Sequence, residues 1–147
     1  MEIQITELDY TDNFYQFFTL LKQLTSINPE KISYEQFKIH LDLIKTNPLH
    51  KVLIAKCGEV IVGTTTLIIE PKFIHDLSFV GHIEDVVVSD KCRGKGIGRL
   101  LVNKAIEISR NHNCYKVILD CKDNMIDYYK TCGFFPKERQ MALYLMT

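Results

Sequence analysis

The stretch that decides the fold is Gly81-His82-Ile83-Glu84-Asp85-Val86-Val87-Val88, followed four residues later by Arg93-Gly94-Lys95-Gly96-Ile97-Gly98. The first part is a β-branched run typical of a strand, and the second is a glycine-rich loop. Apolar residues then recur at Leu101, Ala105 and Ile108, which predicts a helical face. Glycines let the backbone approach a ligand, and the first turn of a helix presents free N–H groups. The order strand, loop, helix therefore predicts an anion site.

Two helices and a hairpin are predicted before this stretch. Ser33-x-x-Gln36 has the pattern of a capping box that starts the second helix. Val52–Ala55 and Val60–Ile69 are β-branched runs separated around Gly58, which predicts a hairpin. The first helix is predicted from apolar residues that recur at helical spacing, namely Phe14, Phe17, Phe18, Leu21 and Leu24.

After the loop and its helix, the pattern predicts a strand over Tyr115–Asp120 and a short helix over Ile126–Thr131 that Gly133 stops. Met141–Met146 is predicted as a last strand. Two strands joined through a helix are expected to be parallel with a right-handed crossover. The fold is thus predicted to be mixed α/β. Because no repeat or linker composition interrupts the chain, residues 1–147 are expected to form a single domain.

The composition argues against some classes of partner. Lys+Arg and Asp+Glu both number 18, so no overall field favours nucleic acid or an anionic membrane. No basic-aromatic array is present either. Met1–Glu7 lacks the basic and apolar regions of a signal peptide, and no apolar run approaches the roughly 20 residues that span a bilayer. We therefore expect neither a nucleic-acid nor a membrane partner.

The five cysteines are not spaced as in a disulfide framework or a zinc site. Their number is odd, their spacings are wide and no C-x-x-C pair occurs. A disulfide framework or a zinc site is therefore disfavoured, and a cytoplasmic location fits better. The five histidines are equally scattered, so no metal is expected.

The glycine loop fails two familiar phosphate patterns. A Walker A loop needs Gly-Lys-Ser or Gly-Lys-Thr, which the sequence lacks. A dinucleotide loop needs G-x-G-x-x-G, but Arg99 stands three residues after Gly96. The loop alone leaves a tight turn with solvated charges equally open. The pattern R-x-x-G-x-G after a strand, together with the later Tyr128-Tyr129-x-x-x-Gly133-Phe134, resembles the GNAT acetyltransferase superfamily.

This resemblance implies acetyl-CoA as co-substrate, and no metal. It implies that the backbone of Val86, Val87 and Val88 pairs with the pantetheine arm, and that Tyr129 lies close to the sulfur and assists the departing thiolate. The residues implied to hold the pyrophosphate are Arg93, Gly94, Lys95, Gly96, Ile97, Gly98 and Arg99.

Four segments give a closer similarity to the glucosamine-6-phosphate N-acetyltransferases: Leu24-Thr25, which we place in the first helix, Lys72–His75, His82–Val88 and Cys114–Cys121. The similarity implies acetyl transfer to glucosamine 6-phosphate, on the route to UDP-N-acetylglucosamine, by a homodimer whose sites draw on both chains. The residues implied to face the amino sugar phosphate are Thr25, Lys72, Phe73, Ile74, His75, Glu84, Asp85 and Asp120.

The residues themselves support a catalytic role for two of these carboxylates. Glu84 and Asp85 stand in an apolar strand, where a buried carboxylate needs a partner. One solvated carboxylate and one structural salt bridge is the alternative. Since an ammonium cannot attack a thioester, a base must remove its proton, and Glu84 or Asp85 is the candidate.

Two positions depart from the relatives. Met125 stands where many relatives have Asn, and Tyr144 where some have an Arg that reaches the sugar phosphate. Phosphate recognition is then expected to rest on Lys72, His75 or Lys122. Two other functions stay open at this point: acetyl transfer to a different amine, and a CoA-binding module without catalysis.

Overall fold

The computed structural model describes residues 2–146 and is built on one five-stranded sheet. The strand order is β1-β2-β3-β4-β5, with β4 and β5 parallel and the other neighbours antiparallel. This confirms the predicted mixed α/β class and the parallel pair. The strands are β1 (Ile3–Glu7), β2 (His50–Cys57), β3 (Val60–Pro71), β4 (Phe79–Val88) and β5 (Cys114–Leu119). The helices are α1 (Phe14–Leu21), α2 (Tyr34–Lys45), the four-residue turn α3 (Ile74–Leu77), α4 (Ile97–Asn111) and α5 (Ile126–Thr131).

Local signals in the sequence start and stop several of these elements. The Ser33 hydroxyl accepts from the Gln36 N–H at 3.1 Å, and the Gln36 side chain accepts from the Ser33 N–H at 3.0 Å, so the predicted capping box is confirmed. The hairpin between β2 and β3 turns at Gly58, whose φ is 60°. Gly133, with φ 98°, ends α5 as predicted.

Two apolar layers enclose the sheet. Leu101, Val102 and Ala105 of α4 are fully buried against a cluster on one face that includes Leu67 and Ile83. On the other face, α1 and α2 pack on the buried residues Val52, Ile54, Ile61 and Val87. The predicted apolar face of α4 is thereby confirmed, and the helix is held tightly at the end of β4.

A β-bulge in β4 exchanges the faces of the strand. Ile83 packs beneath α4 and Val87 packs beneath α1 and α2, although residues four apart in a regular strand share a face. The register with β3 shifts between Glu84 and Val87, and Asp85 has a φ of 53°. One extra residue in an antiparallel pair produces this inversion. The bulge lies at the two carboxylates singled out in the sequence.

The parallel pair separates partway along β4. Pairing with β5 runs from Phe79 to Ile83, whose partner is Leu119, and then ends. The backbone of Glu84–Val88 is thus unpaired with β5 on that side, while Glu84, Val87 and Val88 still pair with β3 on the other. An opening remains in the sheet at the carboxyl end of β4.

Two sequence expectations were wrong. Leu24-Thr25 does not lie in the first helix, because α1 ends at Leu21 and the chain continues in tighter i to i+3 turns, such as the Leu24 N–H to Leu21 O bond of 2.9 Å. Met141–Met146 is not a strand: it pairs with no other described residue, and its side chains are exposed. A continuous apolar run forms a strand only where a partner edge is within reach.

Candidate active site

The opening between β4 and β5 is bordered by the glycine loop, the start of α4 and the carboxyl end of β5. The glycine loop follows β4, α4 begins at its end, and α5 lies beside the start of α4. The carboxyl end of β5 leads to Asp120 directly after Leu119, the residue paired with Ile83. Loops after the carboxyl ends of neighbouring strands are a common place for a ligand site in α/β proteins.

The glycine loop has the backbone form that the sequence predicts. Gly94 and Gly96 both have φ 79°, which a side-chain-bearing residue rarely adopts, and a Cβ at either would meet only open space. Arg93 fastens the loop: its guanidinium donates to Gln23 Oε1 at 2.9 Å and to the Val88 carbonyl at 3.4 Å. The loop thus presents backbone N–H groups and a basic surface, a donor set that fits a pyrophosphate.

The two residues around the start of α4 have different surroundings. Ile97 is buried in the core beneath the helix, so its contribution to a ligand is limited to its backbone. Arg99 donates to the carbonyl and the hydroxyl oxygen of Thr131 at 3.0 and 2.7 Å. Its guanidinium therefore fastens α4 to α5, and the cofactor contact implied for it stays a prediction.

Three carboxyl groups meet at the mouth of the opening. Glu84 is partly buried and Asp85 is exposed. Burial, followed by the charges of Asp120 and Asp85, raises the pKa of Glu84 above its ordinary value, and the nearby His82 opposes this shift. A carboxylate whose proton affinity is raised by burial and like charge is suited to act as a base.

Thr65 fixes the bulge that carries Glu84. Its side chain is fully buried, and its hydroxyl donates to the Glu84 carbonyl at 3.0 Å. That carbonyl lies where the β3–β4 register shifts, so the threonine supplies a hydrogen bond at the irregular point of the ladder. No signal in the sequence indicates this role, since threonine is common in any strand.

Tyr129 lies in α5, the helix that Arg99 joins to the start of α4. Only 8% of the residue is exposed, and its ring packs edge-on against Tyr128 and Phe134. Burial, with smaller effects from Tyr128, Cys121 and Cys132, raises the pKa of Tyr129 to about 12. The phenol therefore stays protonated at neutral pH and is available as a hydrogen-bond donor.

The segment implied to bind the acceptor forms an exposed left-handed turn. His75, Asp76 and Leu77 have φ values of 54°, 58° and 60°, a run that non-glycine residues seldom adopt. Phe73 is 91% exposed. The turn is closed by the Lys72 N–H to Ser78 O bond of 2.8 Å, and the His75 ring stacks on Tyr115 of β5 at 3.9 Å. Tyr115 therefore supports the one titratable ring of this turn.

Glu70 joins two basic groups near the acceptor side. Its carboxylate lies 2.9 Å from His82 Nε2 and 3.4 Å from Lys72 Nζ. The hydrogen bond from His82, and then the contacts with Lys72, hold the pKa of Glu70 below its ordinary range. The charge of Lys72 is thus partly compensated within the chain. His82 and Glu70 were not singled out in the sequence, because twelve residues separate them.

Thr25 is the predicted site residue with the fewest ties to this region. It follows α1 in an exposed turn, and its N–H bonds to the Leu21 carbonyl at 3.4 Å. The same turn reaches the glycine loop through Gln23, whose side-chain oxygen accepts a hydrogen bond from Arg93. The structure therefore brings together the loop, β4, Asp120 and Tyr129, and places Thr25 and the Lys72–His75 segment at the periphery.

Residues 2–146 contain no group of three or more His, Cys, Asp or Glu side chains arranged to hold a metal ion. Within the same residues no helix is both long and apolar enough to cross a membrane.

Comparison with known proteins gives the family. The model of the acetyltransferase (GNAT) family matches residues 12–134. The chain is 38% identical to "Probable glucosamine 6-phosphate N-acetyltransferase 2" of Oryza sativa subsp. japonica, over 97% of this chain and 87% of that protein. It is 35% identical to glucosamine 6-phosphate N-acetyltransferase of Candida albicans, over 87% and 86%.

A solved structure agrees along the whole chain. The crystal structure of glucosamine-6-phosphate N-acetyltransferase from Arabidopsis thaliana superposes with a TM-score of 0.93 at 32% identity, covering 99% of this chain and 100% of that one. This chain belongs to the GNAT family of acetyltransferases. The family resemblance inferred from the glycine loop and the later tyrosine motif is thereby confirmed.

Proposed function

We propose that this chain transfers the acetyl group of acetyl-CoA to the amine of glucosamine 6-phosphate, giving N-acetylglucosamine 6-phosphate by direct attack in a ternary complex. The observation that carries the proposal is the edge of β4 that is unpaired with β5 beyond Ile83, where Glu84 lies next to the glycine loop, together with the buried Tyr129 of α5. The names of the relatives in rice, Candida and Arabidopsis support the same acceptor.

The cofactor site is the loop together with the free side of β4. Backbone N–H groups of Arg93–Gly98, at the positive end of the α4 dipole, bind the pyrophosphate. The unpaired backbone of Val86–Val88 pairs with the amides of the pantetheine arm. Bound acetyl-CoA supplies the thioester whose carbonyl carbon accepts the amine.

Two protons then leave the acceptor amine. Glu84 takes a proton from the acceptor ammonium, directly or through water, and Asp85 and Asp120 orient the amine. The free amine attacks and the C–N bond forms, while a backbone N–H of Val86–Val88 stabilises the charge that develops on the thioester oxygen. As the C–S bond breaks, the nitrogen releases its second proton to the departing sulfur, so that the amide and the free thiol are formed and the first proton stays on Glu84. The Tyr129 hydroxyl donates to the departing thiolate, whose ordinary pKa near 8.5 makes that assistance modest.

The acceptor's phosphate is held by the basic groups beside the left-handed turn. Lys72 and His75 provide charge-assisted donors, Phe73 and Ile74 contribute backbone and apolar contacts, and Thr25 lines the far side. Because Glu70 already engages Lys72, His75 supplies the less compensated donor. Lys122 is the further basic residue available where relatives carry an Arg and this chain has Tyr144.

The assembly is a homodimer in the proposal. The segment Met141–Met146 is strongly apolar, and five of its six side chains are at least 85% exposed. An apolar strand-forming segment without a partner edge is a typical element for pairing with a second copy. A cytoplasmic location is proposed because the cysteines are odd in number and widely spaced, and because none of them forms a disulfide within the described residues. There the product would serve the synthesis of UDP-N-acetylglucosamine.

Thiol release from acetyl-CoA tests the function. The purified chain is offered glucosamine 6-phosphate, glucosamine, a polyamine, an aminoglycoside and a peptide with a free N-terminus, with Glu84→Gln as the inactive control. Rapid release with glucosamine 6-phosphate and little with glucosamine is expected. Release with another amine alone would overturn the acceptor, and tight acetyl-CoA binding without any turnover would overturn catalysis.

A further inference from the structure

Gly98 differs from the other two loop glycines in the reason for lacking a side chain. Gly94 and Gly96 have positive φ and open space around them, whereas Gly98 does not have positive φ. A Cβ at Gly98 would stand 2.6 Å from the phenol oxygen of Tyr128 and 3.6 Å from its Cζ. The first distance is far below van der Waals contact and the second is ordinary. Glycine is therefore required at this position by one atom, the Tyr128 hydroxyl oxygen.

The position of Tyr128 is fixed by several contacts. Its ring packs edge-on against Tyr129 at 5.0 Å between centroids. Its carbonyl accepts from the Thr131 hydroxyl at 2.5 Å, and Thr131 is itself held by Arg99 of α4. These contacts fasten the first turn of α4 to α5. The phenol oxygen is thereby set against the start of α4.

The Tyr128 hydroxyl has no hydrogen-bond partner among residues 2–146. The group is half-buried, and burial raises its pKa, with Arg99 acting in the opposite direction, so it stays protonated at neutral pH. A protonated hydroxyl beside the start of α4 adds one more hydrogen-bond donor to the free backbone N–H groups of the first helical turn. A hydroxyl that no other group of the chain engages is free to bond to solvent, or to a ligand placed beside it.

We propose that Tyr128 is a further cofactor-binding residue, whose hydroxyl donates a hydrogen bond to the pyrophosphate of acetyl-CoA at the start of α4, and that Gly98 makes room for it. This inference rests on the proposed acetyl-CoA site. Neighbouring residues in a helix point about 100° apart. The adjacent phenols therefore act at different parts of one ligand, Tyr129 at the sulfur and Tyr128 at the pyrophosphate.

The first experiment compares Tyr128→Phe with the parent chain. Loss of a hydrogen bond to a charged group is expected to raise the Kd and KM for acetyl-CoA about tenfold. The kcat at saturation and the KM for glucosamine 6-phosphate stay unchanged. S-acetylpantetheine, which lacks the pyrophosphate, is used equally well by both proteins. Tyr15→Phe, at an exposed tyrosine of α1, is the matched control.

The second experiment tests the pairing with Gly98. Gly98→Ala alone is expected to lower the melting temperature and weaken acetyl-CoA binding, because its methyl group meets the phenol oxygen. In the Tyr128→Phe background the same change places the methyl 3.6 Å from a ring carbon, so most of the loss in melting temperature is recovered. An equal loss in both backgrounds would overturn the pairing.

The outcomes separate this inference from the proposed function. If the parent chain binds acetyl-CoA and Tyr128→Phe binds it with the same Kd, the role of Tyr128 is overturned and the transferase proposal stands. Equal weakening for acetyl-CoA and S-acetylpantetheine would overturn the pyrophosphate contact. Parent chain that binds no acetyl-CoA would overturn both.

Discussion

The two sides of the proposed active site are built in opposite ways. On the cofactor side, Arg93 and Arg99 are fastened by hydrogen bonds, Tyr129 is buried, and Gly98 and Tyr128 fit each other. On the acceptor side, the turn Ile74–Leu77 is left-handed and exposed, and the apolar C-terminal segment has no cover among the described residues.

The difference indicates which side of the proposed active site a single chain forms by itself. Left-handed φ values at non-glycine residues each cost of the order of 1–3 kcal/mol and persist when the surroundings hold them in place. Within the described residues the His75–Tyr115 stack and three backbone hydrogen bonds hold the turn. We infer that acceptor and second copy supply the remaining contacts, whereas the cofactor side is preformed in one chain. The predictions below test this contrast.

The largest effect is expected at the boundary between the two sides. Glu84→Gln removes the proposed base and is expected to lower kcat by about 10²–10⁴-fold. Steady-state kinetics at saturating substrates measure it, and acetyl-CoA binding by calorimetry is expected to be intact. Asp85→Asn at the exposed neighbour is the matched comparison. A larger loss there than at Glu84 would reverse the assignment of the base.

Charge in the C-terminal segment is expected to separate the dimer. Leu143→Asp with Leu145→Asp removes two apolar side chains per copy and is expected to weaken dimerisation by at least about hundredfold. Sedimentation velocity over a concentration series measures it. Ile39→Asp, at an exposed apolar residue of α2, is the control and should leave the dimer unchanged. A parent chain that is monomeric throughout would refute the proposed assembly.

On the cofactor side, Tyr129→Phe removes the donor to the departing thiolate. We expect kcat to fall about tenfold, the loss typical of one modest hydrogen bond, with little change in the affinity for acetyl-CoA. Because the pKa of Tyr129 is raised to about 12, the parent rate should show no loss from phenol ionisation up to pH 9. An unchanged kcat would exclude the assigned role.

On the acceptor side, Tyr115→Leu removes the ring that supports His75. An aromatic pair contributes about 0.5–1.5 kcal/mol, so the KM for glucosamine 6-phosphate is expected to rise roughly two- to tenfold. The KM for acetyl-CoA should stay constant. Tyr115→Phe keeps the ring and should restore the parent value. If both variants behave alike, the stack does not position His75.

The smallest effect is a change in stability. Burial and like charges raise the pKa of folded Glu84 above its ordinary 4.5, so the folded state binds the proton more tightly than the unfolded state. Ionisation as the pH rises above 4.5 therefore lowers stability, and below 4.5 this loss is absent. Glu84→Gln is accordingly expected to melt higher than the parent at pH 7 and no higher at pH 4. Scanning calorimetry at both values measures it, and a lower melting temperature at pH 7 would contradict the shift.

Much of the fold could be predicted from local chemistry. The capping box at Ser33, the hairpin at Gly58 and the end of α5 at Gly133 each depend on residues adjacent in the chain. The end of α1 and the state of Met141–Met146 could not, because they depend on tighter turns and on a partner edge. That residues 1–147 form one domain stays a prediction.

The motifs of the candidate site could be predicted from the sequence, but the contacts that hold its residues in place could not. The glycine loop and Tyr129 carry patterns within six residues of sequence. Thr65 and Glu84 meet across strands, as do Glu70 and His82, and the Gly98–Tyr128 contact joins two helices thirty residues apart. Such pairs depend on register and helix packing, which residue type and spacing do not determine.

The point where β4 leaves β5 also bears on the solubility of the protein without ligand. An unpaired strand edge at the rim of a sheet invites pairing with another polypeptide, which is a route to fibrils. Here the unpaired edge lies inside the sheet, with α4 packed on β4 and Tyr129 of α5 buried in the same cluster. The proposed partner of this edge is the pantetheine arm of acetyl-CoA. The amides of Val86–Val88 should accordingly exchange with deuterium in the free protein and become protected when acetyl-CoA binds.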